Sequence, residues 1–237
     1  MPDLIAFRTI IDLTHPLNDQ CPNWEGSQES PFQAKELGNI ERDGYYSRGF
    51  STQEHYGTHL DAPAHFAAGA WTVDEIPADR LVRPLAVIDV HELAASHPDY
   101  AVSVQDIGAW EQTHGAIPEG SVVIAHTGWD QRWAKQEDFR NEQADGLTHY
   151  PGFSLEAAEF LVTSRGVVGL GIDTMSVDIG ATTTYPVHVF TSQQRIYHLE
   201  NVANLAAVPP VGAIIVVAPI KLEKGSGGPV RLLALVE

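Results

Sequence analysis

The chain predicts an α/β fold, with residues 1–237 forming a single compact domain on a mixed β-sheet. Three observations carry this expectation. Short apolar, β-branched runs such as Ile10-Ile11, Val87-Ile88 and Val122-Val123-Ile124 recur along the sequence. Segments with helical spacing and capping residues lie between them, and the two types mix without strict alternation. A length of 237 residues with 43% hydrophobic content is enough to bury a full core, and the 19% of charged residues form no disordered tract.

Taken in order, Thr9–Leu13 reads as a strand closed by Thr14-His15-Pro16. Residues 18–32, with Pro22, Gly26 and Pro31, form a long loop around one large anchor, Trp24. Arg48–Gln53 is a short strand and Leu85–Val90 a buried one. Ser103 starts a helix with Val104, Ile107 and Trp110 on one face and Gly115 as its stop. Ser121–Ala125 is a strand running into His126-Thr127-Gly128-Trp129. Ser154 caps a helix over Leu155–Arg165 that ends at Gly166, and Val167–Ile172 follows as a strand. Val187–Leu199 is apolar enough for a helix, and Ile214–Ala218 and Leu232–Val236 are late strands. Gly225-Ser226-Gly227-Gly228 reads as a flexible turn; it lacks the strand-to-helix setting and the Lys-Ser/Thr of a phosphate loop.

Composition narrows the partners. Fourteen Lys+Arg against 31 Asp+Glu leave a net charge of −17, which argues against nucleic acid and against an anionic membrane surface. The longest apolar run, Ala213–Ile220, is too short to span a bilayer. Cys21 is the only cysteine, so no disulfide forms within the chain. Met1–Arg8 lacks the features of a secretory leader, and a cytoplasmic location is the expectation.

The chemistry concentrates in one stretch, His55-Tyr56-Gly57-Thr58-His59-Leu60-Asp61-Ala62-Pro63-Ala64-His65-Phe66. Imidazole and carboxylate together suit a borderline divalent cation. Fully extended, six residues from His55 to Asp61 would span roughly 20 Å. The backbone must therefore bend, and a tight turn or loop should aim 55, 59 and 61 at one centre. Three ligands would leave an open position for water, whose pKa a metal can lower to about 7. His65 is the candidate proton shuttle, with a fourth ligand as its other reading. His188 and Glu200 are the candidate late ligands. Trp24 and Tyr185, with Trp129 as a further candidate, could line a pocket for an aromatic or small cyclic substrate. His15, His97, His114 and His149 read as bystanders. The plain alternative is a loop carrying several surface histidines.

His55-x-Gly57-Thr58-His59-x-Asp61-x-Pro63-x-His65-Phe66 resembles the signature of the cyclase family of metal-dependent hydrolases, whose members include bacterial kynurenine formamidases and isatin hydrolases. Ile11-Asp12-Leu13-Thr14-His15-Pro16-Leu17 resembles the opening segment of that family. Thr127-Gly128-Trp129 and Gly171-Ile172-Asp173-Thr174-x-Ser176-x-Asp178 resemble two later segments. The resemblance implies a swivelling β/β/α domain and a homodimer or homotetramer. It also implies a site holding one or two Zn²⁺ or Mn²⁺ ions: His55, His59 and Asp61 for one, and Asp61, His188 and Glu200 for a second, with His65 as acid/base. The activity implied is cleavage of an amide C–N bond, arylformamidase-like. A cyclic amide or lactone hydrolase of the isatin type is the alternative, and a non-catalytic metal-binding oligomer a third. Two segments depart from the formamidase pattern: Asn18–Gly26 lacks a Pro-x-Trp-Pro-like run, and Ile179–Pro186 is rich in threonine.

Overall fold

The computed structural model describes residues 7–26 and 29–237; the leader-free reading of the first six residues, and positions 27 and 28 of the Trp24 loop, lie outside the described residues. In chain order the elements are β1 (Thr9–Asp12), β2 (Gln33–Gly38), α1 (Ile40–Asp43), β3 (Ser47–Ser51), β4 (His59–Asp61), β5 (Val82–Asp89), α2 (His91–Ser96), β6 (Ala101–Val102) and α3 (Val104–His114). They continue with β7 (Val122–His126), α4 (Gln136–Arg140), β8 (Gly152–Phe153), α5 (Leu155–Arg165), β9 (Gly169–Ile172), α6 (Pro186–Gln193), β10 (Tyr197–Glu200), β11 (Ala213–Pro219) and β12 (Gly227–Val236). No helix among the described residues is long and apolar enough to cross a membrane.

The main sheet runs β1-β12-β11-β5-β7-β9-β10-β4, and β4 also pairs with β12. That last pairing closes the sheet on itself. β5, β7, β9 and β10 are parallel, while β11, β12, β4 and β1 join antiparallel, so the expected mixed sheet is present. Period-2 alternation along β5 and β7 divides the core in two. Leu85, Val87, Val122 and Ile124 pack with Leu60, Leu199, Val217 and Leu232. Ala86, Ile88, Val123 and Ala125 face the other way, onto Ile107, Trp110, Leu161 and Val187 of the helices α3, α5 and α6.

Capping explains the two longest helices. The Ser103 hydroxyl accepts from the Asp106 amide while the Asp106 carboxylate accepts from the Ser103 amide, a reciprocal box. The Ser154 hydroxyl accepts from the Ala157 amide, and Gly166 ends α5 in the left-handed region at φ 62°.

Three expectations are corrected. The apolar run 187–199 is not one helix: α6 stops at Gln193, Arg195 turns through φ 59°, and Tyr197–Glu200 is a strand. Parallel pairing of Tyr197–Leu199 with Gly169–Gly171 on one side, and antiparallel pairing with β4 on the other, outweighs local helical preference. Gly227 and Gly228 belong to β12, opposite Asp61 and Leu60, and are not a flexible turn. A Cβ on Gly227 would lie 2.6 Å from His55 Cε1 and 2.6 Å from the Leu60 carbonyl oxygen, so only glycine admits this approach. Finally, the strand expected over Arg48–Gln53 runs Ser47–Ser51 (β3) and pairs with β2 in a separate two-stranded ribbon.

Candidate metal centre

The site is built on the short β4–β10 ladder. Glu200 pairs with His59, Leu199 with Leu60 and His198 with Asp61. Leu60 and Leu199 point into the core. Their neighbours must therefore face the opposite side, which puts His59, Asp61, His198 and Glu200 on one surface. The bend expected between His55 and His59 is present at Gly57, at φ 69°, where a Cβ would meet Leu17. His59–Asp61 itself is strand and not loop, because Leu60 completes the ladder. Pro63 opens a single 3-10 turn, Pro63–His65, which carries His65 back over the site.

Asp61 is the hub. Its Oδ1 lies 2.6 Å from His55 Nδ1 and 3.2 Å from His59 Nε2. Its Oδ2 lies 3.2 Å from His188 Nε2 and 3.8 Å from His198 Nδ1. Glu200 spans the same two halves, with Oε2 3.3 Å from His59 and Oε1 3.3 Å from His188. His55, His59, Asp61, His188 and Glu200 are thus brought together as the sequence grouped them. His65 stacks on His55 at 4.0 Å between ring centroids.

Outer partners aim the donors. His59 Nδ1–H donates to the Gly57 carbonyl at 2.9 Å, which turns Nε2 toward the carboxylates. The Asp178 carboxylate accepts from His188 Nδ1 at 2.7 Å and from the Val187 and His188 amides at 2.9 and 3.0 Å. The Val177 amide holds Glu200 Oε1 at 3.0 Å.

Electrostatics bear on whether this donor set suits a cation. Burial alone would raise the Asp61 pKa, but the His188, His55 and His59 imidazoles hold it well below the usual range. Burial would likewise lower His59 and His188, yet the surrounding carboxylates raise both. Two buried carboxylates thus draw compensating positive charge onto imidazoles. His198 sharpens the point. The Thr191 hydroxyl donates to the Val187 carbonyl at 2.6 Å and so must accept from His198 Nε2–H, also at 2.6 Å. His198 Nδ1 is then a bare lone pair, buried and without a hydrogen-bond partner, facing a carboxylate oxygen. A divalent cation among these donors would satisfy the lone pair and let His59 and His188 ligate as neutral rings. The donor set fits such an ion.

An open cavity of about 660 Å³ reaches the cluster, walled by Trp24, Phe66, Met175 and Tyr185. Trp24 and Tyr185 approach to 6.3 Å between ring centroids, and Tyr185 adopts φ 49° at the start of α6. Trp129 is not in this wall. It is buried, its Nε1–H donates to the Phe139 carbonyl, and it packs with Tyr150 and Met175. His65 keeps part of its surface exposed, while burial of the rest lowers its pKa to about 4. Of the remaining histidines, His97 and His114 are exposed, His149 pairs with Asp99 and Asp145, and His15 is stacked on Trp133 at 4.0 Å and not free.

Residues 11–179 match the family model Cyclase, described as "Putative cyclase". The chain belongs to the Cyclase family. Within it, the isatin hydrolase of Roseibium aggregatum is 37% identical over 191 residues, 77% of this chain and 72% of that relative. The kynurenine formamidase of Salinibacter ruber is 27% identical over 224 residues, 94% of this chain and 95% of the relative. The structure of isatin hydrolase A from Ralstonia solanacearum superposes with a TM-score of 0.90 at 36% identity, covering 97% and 92% of the two chains.

Two residues of this Cyclase-family chain carried no site role in the sequence, His198 beside Glu200 and Asp178 in a family-like segment. For His198 the signal was available. His198 and Glu200 are two apart, so a strand places both on one face; reading the segment as helix hid this.

Proposed function

We propose that this chain is a metal-dependent hydrolase that opens the C–N bond of a cyclic aromatic amide. The observation that carries the reading is the meeting of a carboxylate–imidazole cluster with an aromatic-walled cavity at Asp61. His55, His59, Asp61, His188 and Glu200, joined by His198, would hold one or two ions, with Zn²⁺ or Mn²⁺ as candidates; Asp61 and Glu200 each offer one oxygen to either half. A bound ion supplies Lewis acidity toward the carbonyl and lowers the pKa of water.

The remaining steps fall to the chain itself. Trp24, Phe66 and Tyr185 take the flat ring of the substrate and exclude water from one side of it. His65, neutral at pH 7 with its pKa near 4, accepts the proton released as water adds to the carbonyl. It returns that proton to nitrogen as the C–N bond breaks, so the ring opens to a carboxylate and an amine. Isatin-type lactams are favoured over formylkynurenine because the identity to an isatin hydrolase is 37% against 27% to a formamidase. The departing segments support the same choice: Trp24, Thr182, Thr183 and Tyr185 all border an adjoining cavity of about 270 Å³. A homo-oligomeric, cytoplasmic enzyme completes the reading.

The test is elemental analysis of purified protein followed by a panel of isatin, N-formylkynurenine and simple lactones. Isatin should turn over fastest. Protein that stays inert on all three with added Zn²⁺ or Mn²⁺ would sink the proposal.

A further inference from the structure

At the carboxyl ends of β5 and β7, away from the β4–β10 ladder, a second group of donors converges. Asp89 and His126 are the last residues of their strands and stand side by side in the parallel pairing. His91 opens α2 two residues after Asp89. Asp89 Oδ1 lies 2.6 Å from His91 Nδ1 and 3.0 Å from His126 Nδ1, and the two rings are 5.3 Å apart. The approach of His91 depends on Gly128, which at φ 74° carries no Cβ where one would sit 3.3 Å from the Cβ of His91.

His126 makes this more than an ion pair. It is 5% exposed, and Nδ1 is the nitrogen it turns to Asp89; Nε2, the other ring nitrogen, has no hydrogen-bond partner, so neither a backbone nor a side-chain acceptor there fixes the tautomer. His126 also lies within reach of Asp130 and Asp173. Those two carboxylates are already engaged. Asp173 accepts from the Thr127 amide and hydroxyl and from the Trp129 amide, and Asp130 accepts from the Asn204 amide. Asp89 accepts from the His91 amide at 3.1 Å, and the same Oδ1 faces two imidazoles; unlike Asp173 it is open to solvent, both Asp89 and His91 being about half exposed. Ligand atoms of Asp89, His91 and His126 all lie within 4.8 Å of one another.

We propose that Asp89, His91 and His126 form a second divalent-cation site, distinct from the cluster around Asp61. Two imidazoles and one carboxylate on one side, with water free to take the rest, are the donor set of a borderline ion, Zn²⁺ foremost. Bound there, the ion ties the start of α2 to the end of β7. No residue of this site lines the aromatic cavity.

The test uses tag-free full-length protein, stripped of metal and titrated with Zn²⁺ at pH 8 by calorimetry, with elemental analysis of the dialysed product. Wild type, Asp61→Asn, His91→Ala and the double variant are compared. His91→Ala should take up one equivalent fewer than wild type. Asp61→Asn should retain one equivalent that the double variant loses, and Zn²⁺ should raise the melting temperature of Asp61→Asn but not of the double variant. Asp89→Asn, also at a half-exposed position, should reproduce the loss seen with His91→Ala. Equal uptake by wild type and His91→Ala would overturn the proposal, as would an Asp61→Asn protein that binds no Zn²⁺. Because the retained equivalent is read without any substrate, failure of the hydrolase reading leaves this result untouched.

Discussion

The Nδ1 of His198 faces Oδ2 of Asp61 across 3.8 Å, and neither atom brings a proton to the gap. The hydroxyl of Thr191 dictates this by fixing the other tautomer. If a cation bridges them, His198→Gln should weaken metal binding by about 10- to 100-fold, the range for losing one contributor to a site. Chelator competition on the purified variant measures it. Unchanged affinity would mean that His198 is only a packed core histidine.

His65 stands differently: it stacks on His55, and a ring nitrogen lies within 4.8 Å of ligand atoms of His55 and Asp61, so shuttle and ligand are both open to it. His65→Ala should keep the fold and the metal content of wild type while kcat falls on the order of 10²- to 10⁴-fold. A variant that loses metal in parallel with activity would instead identify His65 as a ligand. Metal content and kcat must therefore be measured on the same preparation.

The aromatic wall should act on binding. Trp24→Ala removes one face of the cavity, and a rise in KM of about tenfold corresponds to roughly 1.4 kcal/mol of lost contact. Tyr185 adds a backbone element, since its φ of 49° costs about 1–2 kcal/mol for a residue with a Cβ. Tyr185→Gly should accordingly raise KM without lowering the melting temperature, whereas Tyr185→Phe should leave both nearly unchanged. Steady-state kinetics beside thermal melts separate the three.

These residues also show what the sequence could reveal. His55, His59, Asp61 and His65 were legible because one bend suffices to gather donors within eleven residues. His188 and Glu200 could be named as candidate late ligands, but only the family resemblance joined them to Asp61, since that meeting depends on strand register, a property of two distant segments at once. His198 was lost when an apolar run was read as one helix, although β pairing with Gly169–Gly171 decides that segment. The role of Gly227 could not be read at all. Its need to lack a side chain arises from the ring of His55, which packs against it from far along the chain. The second cluster was hidden for the same reason: Asp89 and His126 become neighbours only when β5 and β7 pair.

His15, first read as a bystander, makes a prediction about acid stability. Burial lowers its pKa from 6.5 to about 4, and its ring lies flat on Trp133 with an interplanar angle of 6°. An imidazole with a depressed folded-state pKa stays neutral in the native protein while the unfolded chain takes up a proton. The unfolded state thus binds more protons between pH 6.5 and 4, and stability must fall as pH falls through that window. At pH 5 the loss from this one group is at most about 2 kcal/mol relative to pH 7, from 1.36 kcal/mol per pKa unit. His15→Phe keeps a flat ring against Trp133 and removes the proton site. Between pH 7 and pH 5 its melting temperature should therefore drop by about 4–8 °C less than that of wild type, at roughly 2–4 °C per kcal/mol for a chain of this size. Parallel drops in the two proteins would place the acid sensitivity elsewhere, with the carboxylates around Asp61 the first to test.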